Sequence, residues 1–163
     1  MKSHGPLSVT LKNSSPISKP PLMNKITLRD YALFVEAWCF LAVARFMLLF
    51  VPFRRILAVM GQVNDSENNA DHKTPPLILK DIKLAIGRAA KRSPWRTMCF
   101  EQALAAKFML KNRRLESIIY FGAAKNTTGG QKLLLHAWLD CRGENVTGGK
   151  NKETFTIIGS FKN

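Results

Sequence analysis

The sequence predicts an α+β fold in which N-terminal helices pack on a small antiparallel sheet. Apolar residues recur at helical spacing before residue 115, short β-prone segments follow it, and clusters of Gly, Asn and Thr separate those segments. The chain has 163 residues, 46% of them hydrophobic. These values suit one modest domain with tails, and they exclude a chain that is disordered throughout.

Four segments follow from composition. Residues 1–25 carry four Lys and no acid and are predicted to be a disordered basic tail. Residues 26–61 form an apolar helical lead. Residues 62–76 form a polar linker closed by two prolines. Residues 77–163 form the core domain.

The apolar run from residue 31 to residue 51 is long enough to cross a membrane. Glu36 and Arg45 lie within it, and each would cost roughly 3 kcal/mol at mid-bilayer. We therefore expect a largely buried or partner-covered helix. Pro52 is expected to end or kink this helix, and Gly61 is expected to end a short second one.

The next two helices are predicted from periodicity. Apolar residues at three- to four-residue spacing form one face of a third helix: Ile78, Ile82, Ala85, Ile86 and Ala89. Ser93-Pro94 interrupts it, and a new helix is expected to begin there and run to residue 112.

The last third of the chain is predicted to form β-strands. Residues 117–124, 132–140 and 154–161 are β-prone and separated by turn residues, which predicts an antiparallel meander. Arg142-Gly143 is a candidate for the turn after the second strand.

The net charge of the chain limits the classes of partner that it can attract. Lys and Arg number 25 against 11 Asp and Glu, a formal net charge of +14. Such a field attracts acidic peptides, acidic proteins, nucleic acid or anionic lipid. No nucleic-acid-binding motif accompanies it, so nucleic acid ranks last and is not predicted as a partner.

The chain has three cysteines, Cys39, Cys99 and Cys141, with no CxxC spacing. This set argues against a disulfide framework and a structural zinc site, and it favours a reducing, cytoplasmic location. No metal or cofactor is predicted. Cys39, within an apolar run, is expected in the core, and Cys141, near a turn, is expected to be exposed.

Cys99 and His136 are the candidate catalytic residues. Cys99 lies near the start of a predicted helix, where unpaired backbone amides and the helix dipole favour a thiolate. His136 lies in a predicted strand, whereas His4 lies in the tail and His72 in the linker. A neutral imidazole there can act as general base. The ordinary alternative is that both residues are core side chains, and the sequence alone leaves it open.

Trp95, four residues before Cys99, is a candidate for the wall of the catalytic cleft near the oxyanion position. Trp138 is a second candidate for the cleft wall. Packing in the hydrophobic core is the default interpretation for both tryptophans.

The segment SPWRTMCFEQALAAKFMLKNRRLESIIYFGAAK, followed by HAWLDCRGENVTGG, resembles the leader peptidases of lasso peptide biosynthesis, which are transglutaminase-like cysteine peptidases of the microcin-processing type. The motif positions are Pro94-Trp95, Cys99, Gly122 and His136-Ala137-Trp138. The apolar, Pro-Phe-Arg-Arg-containing lead is similar too, so the resemblance covers roughly residues 28 to 161.

The resemblance implies a bacterial enzyme with a transglutaminase-like or papain-like core in residues 77–163, with Cys99 as nucleophile and His136 as base. Its substrate would be a ribosomally made precursor peptide whose leader is removed. It further implies a separate leader-recognition protein and, acting next, a macrolactam cyclase. Peripheral contact with a membrane is a further expectation from the apolar lead.

The third catalytic residue is the point of departure from the family, which uses an Asp after the His to orient the imidazole. Asp140 lies only four residues along the same strand, about 13 Å at strand rise, so it suits the role only if the strand breaks. If Arg142-Gly143 forms the turn, residues 147–151 face His136, and they contain no carboxylate. Asn151 or a backbone carbonyl remains as the candidate.

A second function stays open. The charge and the apolar lead also suit a non-catalytic basic module that binds an acidic peptide, a partner protein or a membrane surface.

Overall fold

Helices form the first part of the fold and strands most of the rest. The computed structural model describes residues 27–63, 77–125 and 133–162, so the predicted tail and most of the predicted linker lie outside the described residues. The helices are α1 (Leu28–Phe50), α2 (Phe53–Met60), α3 (Leu77–Arg92) and α4 (Cys99–Asn112). The strands are β1 (Gln62–Val63), β2 (Ile118–Lys125), β3 (Leu133–Cys141), β4 (Glu144–Thr147) and β5 (Thr156–Lys162).

The strands form one antiparallel sheet in the order β1-β5-β2-β3-β4, which confirms the α+β class. The predicted meander is wrong in one connection: its third strand, β5, pairs with β2 and not with β3, whose other edge pairs with β4, a strand that was not predicted. Helices α3 and α4 both contact β4, and β5 takes the free edge of β2 instead. The turn between β3 and β4 is at Arg142-Gly143, as predicted, and both residues have positive φ.

Helix α1 begins where its sequence provides a cap. The Thr27 hydroxyl accepts from the Asp30 amide, and the Asp30 carboxylate accepts from the Thr27 amide. The helix ends just before Pro52, and α2 ends at Gly61, which has φ 108°. Both predicted helix ends are confirmed.

One side of α1 is buried against the other helices. Its buried residues are Leu33, Ala37, Leu41 and Ala44. The other side is exposed and apolar, so the expected burial of most of the helix is wrong, whereas cover by a partner stays a prediction. Exposed members include Tyr31, Phe46, Leu49 and Phe50. By length and composition α1 also qualifies as a candidate membrane span, a test that core helices of soluble proteins and signal sequences pass as well.

Helix α4 is the central element, since it contacts α1, α3 and strands β2, β3 and β4. It begins at Cys99 and not at Ser93-Pro94 as predicted. The Ser93 hydroxyl donates back to the Ala89 carbonyl at 3.0 Å, so Ser93 ends α3 rather than starting α4. Glu101 accepts from the Met98 amide at 3.1 Å and fixes the start of α4.

The two faces of the sheet differ in what covers them. Ile119 pairs with Leu139, and both join the hydrophobic core that the four helices share with the sheet. Phe121 lies on that face too, with its ring 5.1 Å from the ring of Phe100 in α4. Because side chains alternate along a strand, His136 and the neighbouring Trp138 lie on the opposite face.

Candidate active site

Cys99 is the first residue of α4, with a half-buried, unpaired thiol. The first amides of a helix have no partner within the helix. The amides of Cys99 and the residues after it are therefore suitable donors to an anion that forms beside the thiol.

The first turn of α4 also holds a buried carboxylate, two residues after Cys99. Glu101 is 1% exposed, and both of its oxygens are engaged. Oε1 accepts from Arg45 Nη1 at 2.8 Å, and Oε2 accepts from the Met98 amide. The guanidinium compensates the negative charge that burial would otherwise make costly. Glu101 is thus committed to holding the helix start in place.

His136 lies half-buried in β3, opposite Gly122 of β2. Its Nε2 is 2.7 Å from the carbonyl oxygen of Gly148. A carbonyl can only accept, so this bond assigns the proton of the neutral ring to Nε2 and leaves Nδ1 as the basic nitrogen. The imidazole is therefore held in a tautomer that can take a proton from a thiol.

Two aromatic rings flank the imidazole. The centroid of the His136 ring lies 5.0 Å from that of Phe155 and 6.0 Å from that of Trp138. Gly122 makes room for them, since a Cβ there would lie 2.7 Å from Phe155 Cβ and 2.8 Å from the Trp138 ring. Glycine at this motif position lets the two rings close around His136.

The segment that carries Gly148 is fixed by Asn145. Its amide donates to Asp140 Oδ1 at 2.8 Å and to the Thr147 carbonyl at 3.0 Å. Gly148 itself has φ +69°, and a Cβ there would overlap the Ala137 carbonyl. Only glycine fits this close approach to β3 without strain.

Asp140 and Asn151 are the side chains that were predicted as candidates for the third catalytic position. Asp140 accepts from Asn145 and from Lys152 Nζ at 3.2 Å. Asn151 has φ 58°, and its carbonyl accepts from Thr154. The hydrogen-bond partner that the structure gives His136 is the Gly148 carbonyl, within the segment 147–151 that was predicted to face it.

Cys99 and His136 are not hydrogen-bonded to each other in the described part of the chain, and the pleat of β3 places His136 on the face away from α4. Both, however, border the same open pocket through close neighbours. Gln102, one turn after Cys99, lines this pocket together with Gly148, the partner of His136.

Trp95 packs against the hydrophobic core, with its ring 5.9 Å from that of Trp38 in α1. Its indole Nε1 is buried and has no hydrogen-bond partner in the described residues.

The other two thiols reverse the expectations. Cys39 is exposed, because it lies on the side of α1 that faces away from α3 and α4. Cys141 is 1% exposed and donates to the Glu116 carbonyl, because its side of β3 faces the helices. Burial raises the pKa of the Cys141 thiol.

Sequence reasoning did not identify Glu101, Asn145 or Gly148 individually. An acid such as Glu101 is typical of the first turn of a helix, but Met98 before it is not one of the residues that mark a helix start in sequence. The Gly148-Gly149 pair after Thr147 indicates a turn, but not that its carbonyl meets a histidine. Within the described ranges, no group of three or more His, Cys, Asp and Glu side chains could hold a metal ion.

Comparison with known proteins gives one match. The model of the transglutaminase-like superfamily matches residues 38–160, about three quarters of the chain. The match starts within α1 and includes both Cys99 and His136. No curated protein and no solved structure matches the chain significantly.

Proposed function

The chain belongs to the transglutaminase-like superfamily, which includes cysteine peptidases, and on that premise we propose that it cleaves peptides with Cys99 as nucleophile and His136 as general base. The observation that carries the proposal is the hydrogen bond from His136 Nε2 to the Gly148 carbonyl. It supplies the orienting contact that the family draws from an Asp, and it leaves Nδ1 free to receive a proton.

The proposed reaction has two steps. His136 Nδ1 takes the thiol proton, Cys99 Sγ attacks the scissile carbonyl, and the amide C–N bond breaks as the imidazolium gives its proton to the leaving amine. Water then attacks the thioester, with His136 again as base, and releases the acid and the free thiol. The amides at the start of α4 would bind the oxyanion in both steps.

This mechanism requires Sγ and Nδ1 to come within hydrogen-bonding distance when substrate binds. Because His136 lies on the face of β3 away from α4, this requires a rearrangement of the chain around the site and not only the shortening that catalytic hydrogen bonds show when substrate binds. The requirement is the most demanding part of the proposal, and the first experiment is aimed at it.

The test is alkylation of native protein by iodoacetamide at pH 7, read for each cysteine by mass spectrometry. We expect Cys99 to react at least about tenfold faster than the exposed Cys39, and His136→Ala to remove that advantage. His72→Ala is the matched control and leaves the rate unchanged. Equal rates for Cys99 and Cys39, or no effect of His136→Ala, would contradict a functional pair.

The finer proposal is that the substrate is a lasso precursor peptide. It is supported by the order and spacing of Pro94-Trp95, Cys99 and His136-Ala137-Trp138. With this substrate we also propose a separate leader-recognition protein and a macrolactam cyclase that acts on the freed amino terminus. The proposed location is the cytoplasm of a bacterium. All of these are proposals that follow from the substrate.

Reconstitution tests the finer proposal. The chain is combined with a candidate precursor and its leader-binding protein, and leader and core fragments are sought by mass spectrometry. Cleavage at one bond that disappears in Cys99→Ala supports the assignment. Cleavage of unrelated peptides at the same rate would support a general peptidase instead.

The alternative is a non-catalytic basic binding module. It is favoured by the net charge of +14 and by the exposed apolar side of α1. Under this reading, Cys99→Ala leaves partner binding intact and no cleavage is found in the wild-type protein.

A further inference from the structure

An open pocket of about 400 Å³ lies beside the candidate active site, between α3, the start of α4 and the end of β4. Its walls include Lys83 and Gly87 from α3, Gln102 from α4, and residues 147–150. It is separate from the Cys99 thiol and the His136 ring, neither of which lines it.

The pocket presents hydrogen-bond donors. Lys83 Nζ donates to the Asn145 carbonyl at 2.9 Å, which uses one of its three N–H groups. Lys150 is exposed, and Gln102 contributes an amide whose Nε2 also donates to Thr97 Oγ1 at 3.3 Å. The described residues that line the pocket include no Asp or Glu. An anion would therefore meet two positive charges and no negative one.

Thr147 gives an independent sign of a ligand. The residue is 6% exposed, and its Oγ1 has no hydrogen-bond partner among the described residues. A buried hydroxyl without a partner is unfavourable, and Thr147 is one of the residues that line this pocket. A ligand oxygen bound here would satisfy it.

Gly148 connects the pocket to the active site. It lines the pocket, and its carbonyl is the partner of His136 Nε2. Gln102 lies three residues after Cys99, on the same side of α4. A side chain held in the pocket would thus project from a peptide that passes the candidate nucleophile.

We propose that this pocket binds an acidic side chain, Asp or Glu, of the peptide substrate close to the bond that is cut. The carboxylate would be held by Lys83, Lys150 and the Thr147 hydroxyl. That the ligand belongs to a substrate rests on the proposed peptidase function. The recognition of the carboxylate rests on the pocket alone.

Gly87 provides a specific way to block the pocket. A Cβ at Gly87 meets no atom within 4 Å, so a larger side chain can be added there without a clash in the fold. Gly87→Leu would fill the pocket, and Gly87→Ala is the matched control, since it adds only the Cβ.

The probe is N-acetyl-glutamate N-methylamide, compared with the glutamine analogue in an NMR titration of the full chain at low salt. We expect the glutamate probe to bind at least about tenfold more tightly, as charge-assisted contacts predict. Gly87→Leu should abolish binding and Gly87→Ala retain it. Lys150→Met should weaken binding at least about threefold, whereas Lys91→Met, an exposed change of equal charge outside the pocket, should not.

Thr147→Val keeps the shape of the side chain and removes the hydroxyl. Since this hydroxyl has no partner in the described fold, the variant should fold normally and bind the glutamate probe more weakly. Equal binding of the two probes, or unchanged binding in Gly87→Leu, would overturn the proposal.

Cys99 alkylation on the same samples separates the two proposals. Glutamate binding without the His136-dependent reactivity of Cys99 would retain the carboxylate site and overturn its role in a peptidase. If Cys99 shows this His136-dependent reactivity but the protein binds the glutamate and glutamine probes equally, the peptidase proposal stands and the proposed carboxylate site is overturned.

Discussion

Arg45 Nη1 in α1 lies 2.8 Å from Glu101 Oε1 in the first turn of α4, two residues beyond Cys99. At the other end of the same interface, Arg113 binds Glu36 through both guanidinium Nη atoms, with a shortest distance of 2.6 Å. The two α1 charges that would be costly in a bilayer are thus each paired with α4. They align α1 antiparallel to α4 and hold the start of α4 in place.

Arg45→Met should destabilise the protein by about 2 kcal/mol, measured by urea unfolding. The change leaves the Glu101 carboxylate buried without its cation, but the Arg45 side chain is 40% exposed, which reduces the loss below that of a fully buried pair. Arg54→Met, at an exposed position, should change stability by less than about 0.5 kcal/mol.

Adding Glu101→Gln to Arg45→Met should recover part of the lost stability, because a neutral amide replaces the uncompensated charge. If Arg45→Met and Arg54→Met have equal effects, the pair does not contribute to stability.

Local sequence signals predicted most of the fold. Pro52 and Gly61 mark helix ends through backbone geometry that few alternatives can override, and the apolar face of α3 is nearly the predicted one. The start of α4 was misplaced because Ser93-Pro94 suits a helix start in isolation, whereas Ser93 is used to end α3. The pairing of β5 with β2 depends on long-range contacts that strand propensity does not contain.

The site was predictable in residue type and less so in geometry. A cysteine near a helix start and a histidine in a strand are visible in the sequence, and so is the lack of a carboxylate opposite His136. The contact of His136 with a Gly148 carbonyl is not visible, because any residue has a carbonyl and its direction depends on the backbone of a turn. Burial of Cys141 and exposure of Cys39 likewise depend on which side of each element meets the core.

Asn145→Ala should lower the rate of Cys99 alkylation at pH 7 by roughly threefold to tenfold and stability by about 1–2 kcal/mol. The variant loses the bonds to Asp140 and the Thr147 carbonyl that fix the segment before Gly148. The control is Asn112→Ala, at the exposed end of α4. A loss of stability with an unchanged alkylation rate would limit Asn145 to a structural role.

Gly148→Ala should reduce the reactivity of Cys99 at least about tenfold, because the added Cβ forces the segment away from β3 and withdraws the carbonyl from His136. The variant should also lose about 1–3 kcal/mol of stability, since alanine is strained at φ +69°. Gly159→Ala, where the nearest atom to a Cβ is 4.0 Å away, should keep the wild-type alkylation rate. Wild-type reactivity in Gly148→Ala would show that His136 needs no such partner.

Lys107 is the one buried lysine in the described part of the chain. It is 1% exposed, and its Nζ donates to the carbonyls of Ser117 and Phe161 at 3.2 and 3.0 Å. Burial, with a smaller contribution from the Lys111 charge, lowers its pKa from 10.5 to about 8. Among the described residues no carboxylate is bonded to it, and the charged form is held there by carbonyl dipoles.

Between pH 8 and 10.5 the unfolded chain keeps a proton on Lys107 that the folded chain has lost, so the free energy of unfolding should rise with pH by up to about 3 kcal/mol. Below pH 8 both states are protonated and this contribution is constant. Burial raises the pKa of Cys141, so this thiol lowers the free energy of unfolding as the pH rises at high pH. Because wild type and Lys107→Met share Cys141, the difference between their free energies of unfolding isolates the contribution of the lysine. Urea unfolding from pH 7 to 10.5 should show this difference widening with pH, whereas Lys80→Met, at an exposed site, should follow the wild type. Parallel curves for wild type and Lys107→Met would contradict the lowered pKa.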